Sequence, residues 1–362
     1  MATATNIDPI RTAYLAAKIP YAKSGAATKN RQDEYQPIRS LNYKIYDALH
    51  TVTATEGGMV ATAVRQACEG GKALRNQVHA VDILFETIKI FLTTCKAIGG
   101  ATPRSSGRTT PASRQSSSPA SPGSPKSSKN ALDTLRNTDS SVKRDGVLKV
   151  EALERDGYRC VYSAYMSEAA PSEEAAANPN AAMEYTEGAH IVPFSIQKVR
   201  GAGQHLETAL NLFGHPGMDL GKVDVLPNII TLWTSAHQNF GKFNWMVDTS
   251  TTADNAIVYT IAHLARTGSR VRQMANALQT VVDGDTLLLD GKHAQRPDPR
   301  YFDLHAKIGR VLHASGFGGI VEKFLRDNED EGAVTVPVIQ SVKHVNEFLS
   351  ENDWVVPGHQ EE

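Results

Sequence analysis

Residues 186–194, TEGAHIVPF, decide how this chain is interpreted, because they place His190 near the end of a predicted strand. The strand is predicted over Tyr185–Val192, and it ends at a proline, which cannot donate a backbone hydrogen bond to a sheet. Two polar residues follow further along the chain: Asn228, and His237 nine residues after it. We expect these three side chains, distant in sequence, to meet in one groove.

That set of residue types suits the hydrolysis of a phosphodiester. Attacking water needs a base, and the charge on the phosphate and the leaving oxygen needs a cation. A helix is predicted over residues 228–240, and nine residues span two and a half helical turns. His237 can then hold a divalent metal ion, while Asn228 holds the imidazole of His190 from behind so that its other nitrogen faces the water.

Further elements follow from hydrophobic spacing. Two strands are predicted over Phe243–Val247 and Ala256–Ile261 by alternation, and two helices are predicted around Leu304–Leu312 and over Ile320–Leu325. The pair Asp156-Gly157 is interpreted as a turn.

Three quoted motifs carry a resemblance to a known family. RDGYRC at 155–160, AHIVPF at 189–194 and NIITL…HQNFGKFNW at 228–245 resemble the HNH nuclease domain found in many uncharacterised fungal proteins, and the resemblance covers roughly 140–328. It implies an α+β fold: a ββα-metal core with flanking helices and a divalent ion, Mg²⁺ or Mn²⁺. It also implies roles for three residues: His190 as the general base, Asn228 as the residue that orients it, and His237 as a metal ligand.

One position departs from the pattern. Many HNH nucleases carry a second metal ligand just before the base, where this chain has Ala189. Glu187 or Asp224 can supply that ligand, or water and phosphate oxygens can complete the coordination of a hard ion. The remaining interpretation is that the site is catalytically inactive. Two functions therefore stay open: a metal-dependent endonuclease, and an inactive HNH scaffold that acts as a binding or regulatory module.

Charge gives no general argument for nucleic-acid binding, because the net charge is -1. Any basic contact surface must then be local, and we expect Lys242, Arg155 and Arg159 to contact the phosphate backbone. No recognition helix or zinc finger stands out, so we expect relaxed sequence preference, with DNA rather than RNA as substrate.

The chain divides into four predicted parts. Residues 1–98 form a separate N-terminal helical region that we expect to mediate protein binding or self-association. Residues 99–130 form a disordered Ser/Pro-rich linker, since they lack large apolar side chains. Residues 131–328 form the HNH domain with its helical tail, and residues 329–362 form an acidic, helical C-terminal tail.

Composition excludes several classes of protein. No apolar run is long enough to cross a membrane, and no secretory signal is evident at the N-terminus. The three cysteines form neither a disulfide framework nor a zinc site. We expect a nuclear or cytoplasmic protein that is not secreted and has no membrane contact.

Overall fold

The structure is a computed structural model, and it describes part of the chain: residues 41–53 without 43, residues 63 and 66, ten positions between 84 and 96, and residues 142–193, 202–264, 281–289 and 295–329. The predicted linker at 99–130 and the tail from residue 330 onward lie outside the described residues.

The described residues form a mixed α+β architecture, as expected. Helices and strands follow one another in this order: α1 Val142–Arg155, β1 Met166–Ser167, α2 Ser172–Ala177, β2 Met183–Glu184, β3 Thr186–His190, α3 Ala202–Leu212, β4 Ile229–Trp233, α4 Thr234–Gly241, β5 Trp245–Thr251, β6 Ile257–His263, α5 Pro299–Ala314 and α6 Phe317–Glu329. No described helix has the length and apolar character that crossing a membrane requires.

The strands pair two by two. β1 lies parallel to β2, while β3 pairs antiparallel with β4 and β5 pairs antiparallel with β6. The strand and helix predictions at 243–261 and 304–325 are confirmed in type, although β5 extends further, to Thr251.

The predicted helix over residues 228–240 is wrong in its first half. A 3-10 turn at Leu226–Asn228 leads into β4, and α4 begins only at Thr234. The β4 sequence IITLW is rich in β-branched and aromatic residues, which favours a strand over a helix, and four of its five residues are buried. Pairing with β3 then satisfies its backbone, with His190 opposite Ile229.

The β3–β4 hairpin has a different helix on each face. Ala189 and its cross-strand partner Ile230 share one hydrophobic cluster with Ala236 and Phe240 of α4. A Cβ placed on Gly188 would instead lie 3.6 Å from the backbone of Lys149 in α1. Because side chains alternate along a strand, odd-numbered residues of β3 face α4 and even-numbered residues face α1.

The described N-terminal helical residues share a core with helices later in the chain. Their buried side chains belong to one hydrophobic cluster with α3, α5 and α6. The rings of Phe91 and Phe213 lie 5.5 Å apart in that cluster, and Lys96 forms a 2.7 Å ion pair with Glu322. The described part of residues 1–98 therefore packs on the helical tail, and the separate N-terminal domain stays a prediction.

A buried histidine supports α4 from behind. The ring of His305 stacks between Phe240 and Phe243, with centroid distances of 3.9 and 4.5 Å, and its Nε2 lies 3.2 Å from the Phe240 carbonyl oxygen. Burial lowers the pKa of His305 to about 3, because an imidazolium ion would lose its hydration there. The side chain is a neutral part of the core.

This burial predicts acid sensitivity. The unfolded chain binds a proton at His305 below its ordinary pKa of about 6.5, whereas the folded chain does not until about pH 3. The free energy of unfolding should therefore fall by up to about 1.4 kcal/mol per pH unit below pH ~6.5 because of this residue. Urea unfolding across that range should show a shallower pH dependence in His305→Phe, and identical slopes in both proteins would contradict the prediction.

Candidate active site

Asn228 joins two segments of backbone. Its side chain is fully buried; its Oδ1 accepts a 2.9 Å hydrogen bond from the Val192 amide, and its Nδ2 donates to the carbonyl oxygens of Val192 and Val223 at 2.9 and 2.8 Å. The sequence predicted that this amide would hold the imidazole of His190. The hydrogen bonds described go instead to backbone, so Asn228 fixes the chain that carries the imidazole rather than the ring.

Those two segments carry a histidine and a carboxylate. His190 lies two residues before Val192, and Asp224 directly follows Val223. Their side chains meet, with His190 Nε2 3.2 Å from Asp224 Oδ1, and they are 25% and 14% exposed. A carboxylate at this distance orients an imidazole and stabilises its protonated form, as a general base requires after it takes a proton. The pair is reachable from solvent.

A second histidine–carboxylate pair lies on the α4 side of the hairpin. His237 Nδ1 is 2.6 Å from Glu187 Oε2. The hydrogen bond from His237 holds the pKa of Glu187 below its usual range against the opposing effect of partial burial, and the charge of Lys149 adds to the lowering. Glu187 is therefore an anion near neutral pH. It shares its face of β3 with Ala189, the position at which the sequence lacks the expected ligand.

The predicted metal ligands do not form one cluster. Glu187 reaches His237 while Asp224 reaches His190, and alternation along β3 puts Glu187 and His190 on opposite faces of the hairpin. Within the part of the chain that the structure describes, no three His, Cys, Asp or Glu side chains gather as a metal site would require. One carboxylate and one imidazole still suit a divalent ion that takes its other ligands from water and phosphate.

The three residues predicted to contact phosphate differ in their exposure to solvent. Lys242 is exposed at the end of α4. The side chain of Arg159 is part-buried and donates a hydrogen bond to Asn178, beyond the end of α2. Arg155 is only 3% exposed, and its guanidinium bonds Asp156 and the carbonyl oxygens of Leu226 and Ile229. That interior location does not fit the predicted contact of Arg155 with a nucleic-acid backbone.

Arg155 and Asp156 instead support the site. Arg155 donates hydrogen bonds to the carbonyl oxygens of Leu226 and Ile229, on either side of Asn228. Asp156 Oδ2 accepts a 2.8 Å hydrogen bond from the Thr231 amide. Helix α1 ends at Arg155 in a Schellman motif, with Gly157 at φ +64°, a conformation that glycine adopts without strain. From the sequence, Asp156 was interpreted only as part of a turn, because the strand amide that it binds, that of Thr231, lies 75 positions further along the chain.

Residues 160–248 match the family model described as HNH endonuclease. The matched HNH segment contains all of β3, β4 and α4, and with them His190, Asn228 and His237. Neither a curated protein nor a solved structure matches the chain. The match supports an HNH domain-containing protein with a nuclease-type function. Arg155 and Asp156, together with α5 and α6, lie outside the matched HNH segment.

Proposed function

We propose that the chain is a metal-dependent HNH endonuclease that hydrolyses phosphodiester bonds in nucleic acid, in DNA rather than RNA. One observation carries the proposal: His190, at the solvent-accessible end of β3, contacts a carboxylate within the segment that matches the HNH family. Strands β3 and β4 pair antiparallel although α3 lies between them in sequence, and helix α4 follows β4; this arrangement supports a ββα-metal core for that segment.

The roles follow from the contacts. His190 takes the proton from the attacking water, and the positive charge that develops on its ring is stabilised by Asp224. Asn228 keeps the two residues in register through the backbone of Val192 and Val223. Asp224 is thus a positioning residue in this proposal and not a metal ligand.

Glu187 and His237 are the residues that would hold the metal ion. They lie on the α4 face of the β3–β4 pair and His190 lies on the other face, so a phosphate would have to lie across the end of the pair for both to reach it. The side chains of Glu187 and His237 contact each other, and the lowered pKa of Glu187 favours its anion, so one oxygen donor and one nitrogen donor lie side by side. When bound, a divalent ion neutralises charge on the phosphate and the leaving oxygen. Lys242, exposed beyond the end of α4, adds a cation that can contact a backbone phosphate.

A second function has its own observation. Ala189 provides no ligand, and among the residues with described positions no third acidic, histidine or cysteine side chain joins Glu187 and His237. This favours an inactive HNH scaffold that binds nucleic acid or protein, with the N-terminal helices as a surface for a partner or for self-association. The two functions differ in whether the chain cleaves.

Metal-dependent cleavage distinguishes them. The full chain is expected to nick supercoiled plasmid in Mg²⁺ or Mn²⁺ and to lose that activity in EDTA, because the phosphate charge is then left without its cation. An RNA of matched length should be cut more slowly. Activity that survives chelation would contradict a metal-dependent enzyme, and no cleavage in either ion would favour the scaffold.

Metal binding can be measured without activity. Mn²⁺ should raise the melting temperature of the wild type by mass action, and His237→Ala should lose that shift. His313→Ala, an exposed histidine change on α5, is the matched control and should keep it. An equal shift in all three proteins would place the ion elsewhere.

A further inference from the structure

Tyr185 is an exposed aromatic side chain at the edge of the candidate site. It connects β2 to β3, two residues before Glu187, and its side chain is 57% exposed. Of the three large apolar side chains exposed in the described part of the chain, two, Met183 and Tyr185, lie on this edge. An exposed apolar patch beside a polar site indicates a binding surface more often than a lone exposed residue does.

A lysine stands over the tyrosine ring. Lys149 comes from α1, and its Nζ lies 5.0 Å from the centroid of Tyr185, within the range of a cation–π contact. The backbone of Lys149 packs beside Gly188, and its charge acts on Glu187. The cation and the aromatic ring therefore sit together next to the proposed metal ligands, although they come from elements separated in sequence.

This combination suits an unpaired nucleotide. An aromatic face stacks on any base, and a neighbouring cation contacts the phosphate attached to that base. Bases in a duplex have their faces covered by stacking, so a tyrosine platform can take only a base that is unpaired or turned out. Two residues of strand put Tyr185 about 7 Å along the chain from Glu187, which is close enough to serve the same nucleic-acid strand.

We propose that Tyr185 and Lys149 form a subsite for an unpaired nucleotide next to the cleaved bond, so that the chain prefers single-stranded or locally unpaired nucleic acid. The inference rests on the proposed nuclease function, because it states which kind of nucleic acid, unpaired rather than duplex, the HNH site would bind. It adds a substrate class that neither the matched family nor the His190 pair specifies.

Binding without cleavage tests the subsite. Fluorescence anisotropy of a labelled single-stranded DNA oligonucleotide is measured with the full chain in EDTA. Tyr185→Ala should raise Kd roughly 5- to 150-fold, the effect of losing one stacked base, whereas Tyr185→Phe, which keeps the ring, should bind like the wild type. Lys149→Gln should weaken binding and reduce the slope of log K against log salt by about 0.7, the value for one phosphate contact on a single strand. Val282→Ala, another exposed apolar change, is the matched control.

The outcomes separate this inference from the proposed function. Unchanged single-strand binding in Tyr185→Ala, or an equal loss in Tyr185→Phe, overturns the subsite, and metal-dependent nicking by the same preparation would show that the nuclease function survives it. A wild type that binds duplex of the same sequence more tightly than the single strand also overturns it. Tyr185-dependent binding in a protein that does not nick supports the subsite and leaves the inactive scaffold as the function.

Discussion

Replacing His190 by alanine is expected to slow plasmid nicking by roughly 10²- to 10⁴-fold, the usual contribution of a general base. The change removes the imidazole that contacts Asp224 and leaves the backbone pairing of β3 with β4 intact. Initial rates in saturating Mn²⁺ measure the effect. Near-equal melting temperatures of the two proteins would show that the loss is chemical.

Two controls sharpen this result. His313→Ala removes an exposed histidine from α5 and should nick at the wild-type rate. Because His190 is partly open to solvent, free imidazole in the buffer should restore part of the rate of His190→Ala and none of the rate lost through misfolding. A variant that cleaves as fast as the wild type would remove His190 from the chemistry, and with it the observation on which the nuclease proposal rests.

The sequence predicts those parts of the fold that depend on local patterning. The strands at 243–261 contain runs of aromatic and β-branched residues, and α5 carries its apolar side chains at helical spacing, so both kinds of element were predictable. The end of β5 was not, because Asp248–Thr251 are polar and partly or fully exposed, and only pairing with β6 keeps them extended.

The error over residues 228–240 has a physical cause. Ile229, Leu232 and Ala236 satisfy a helical spacing, but residues 229–232 are also a short continuous run of buried residues, which suits a strand covered on both faces. The β-branched residues of β4 gain more from the cross-strand partners that β3 offers than from a helix, and a single sequence does not show that β3 lies alongside. Pairing with β3 therefore makes residues 229–233 a strand rather than the first turns of a helix.

The sequence predicted members for the candidate site, but the structure gives several of them other hydrogen-bond partners than expected. Spacing identified His190, Asn228 and His237, yet it assigned Asp224 to the metal and the Asn228 amide to the imidazole. In the structure, Asp224 contacts His190, and the side-chain amide of Asn228 forms hydrogen bonds with backbone groups. Hydrogen-bond partners depend on sub-ångström placement of the loops before β4, and hydrophobic patterning contains no information at that scale.

The buried ion pair behind the site predicts a large effect on stability. Asp156 is almost fully buried and accepts hydrogen bonds from Arg155 Nε and Nη2 and from the Thr231 amide. Asp156→Ala leaves a guanidinium ion in the interior without a counter-charge and a strand amide without its acceptor. The free energy of unfolding is expected to fall by roughly 3–5 kcal/mol, measured by urea unfolding at neutral pH. Asp248→Ala is the matched control, because it breaks a half-exposed ion pair in which Arg310 Nη2 donates to both carboxylate oxygens, and it should cost at most about 1 kcal/mol.

A double variant tests whether the uncompensated charge causes that loss. Arg155→Met in the Asp156→Ala background removes the buried cation, and it should return part of the stability even though the Thr231 amide still lacks its acceptor. Additive losses would mean that the two residues act through separate contacts. Because Arg155 also binds the carbonyl groups of Leu226 and Ile229 on either side of Asn228, the double variant should fold but position His190 poorly. It should therefore recover stability without recovering cleavage.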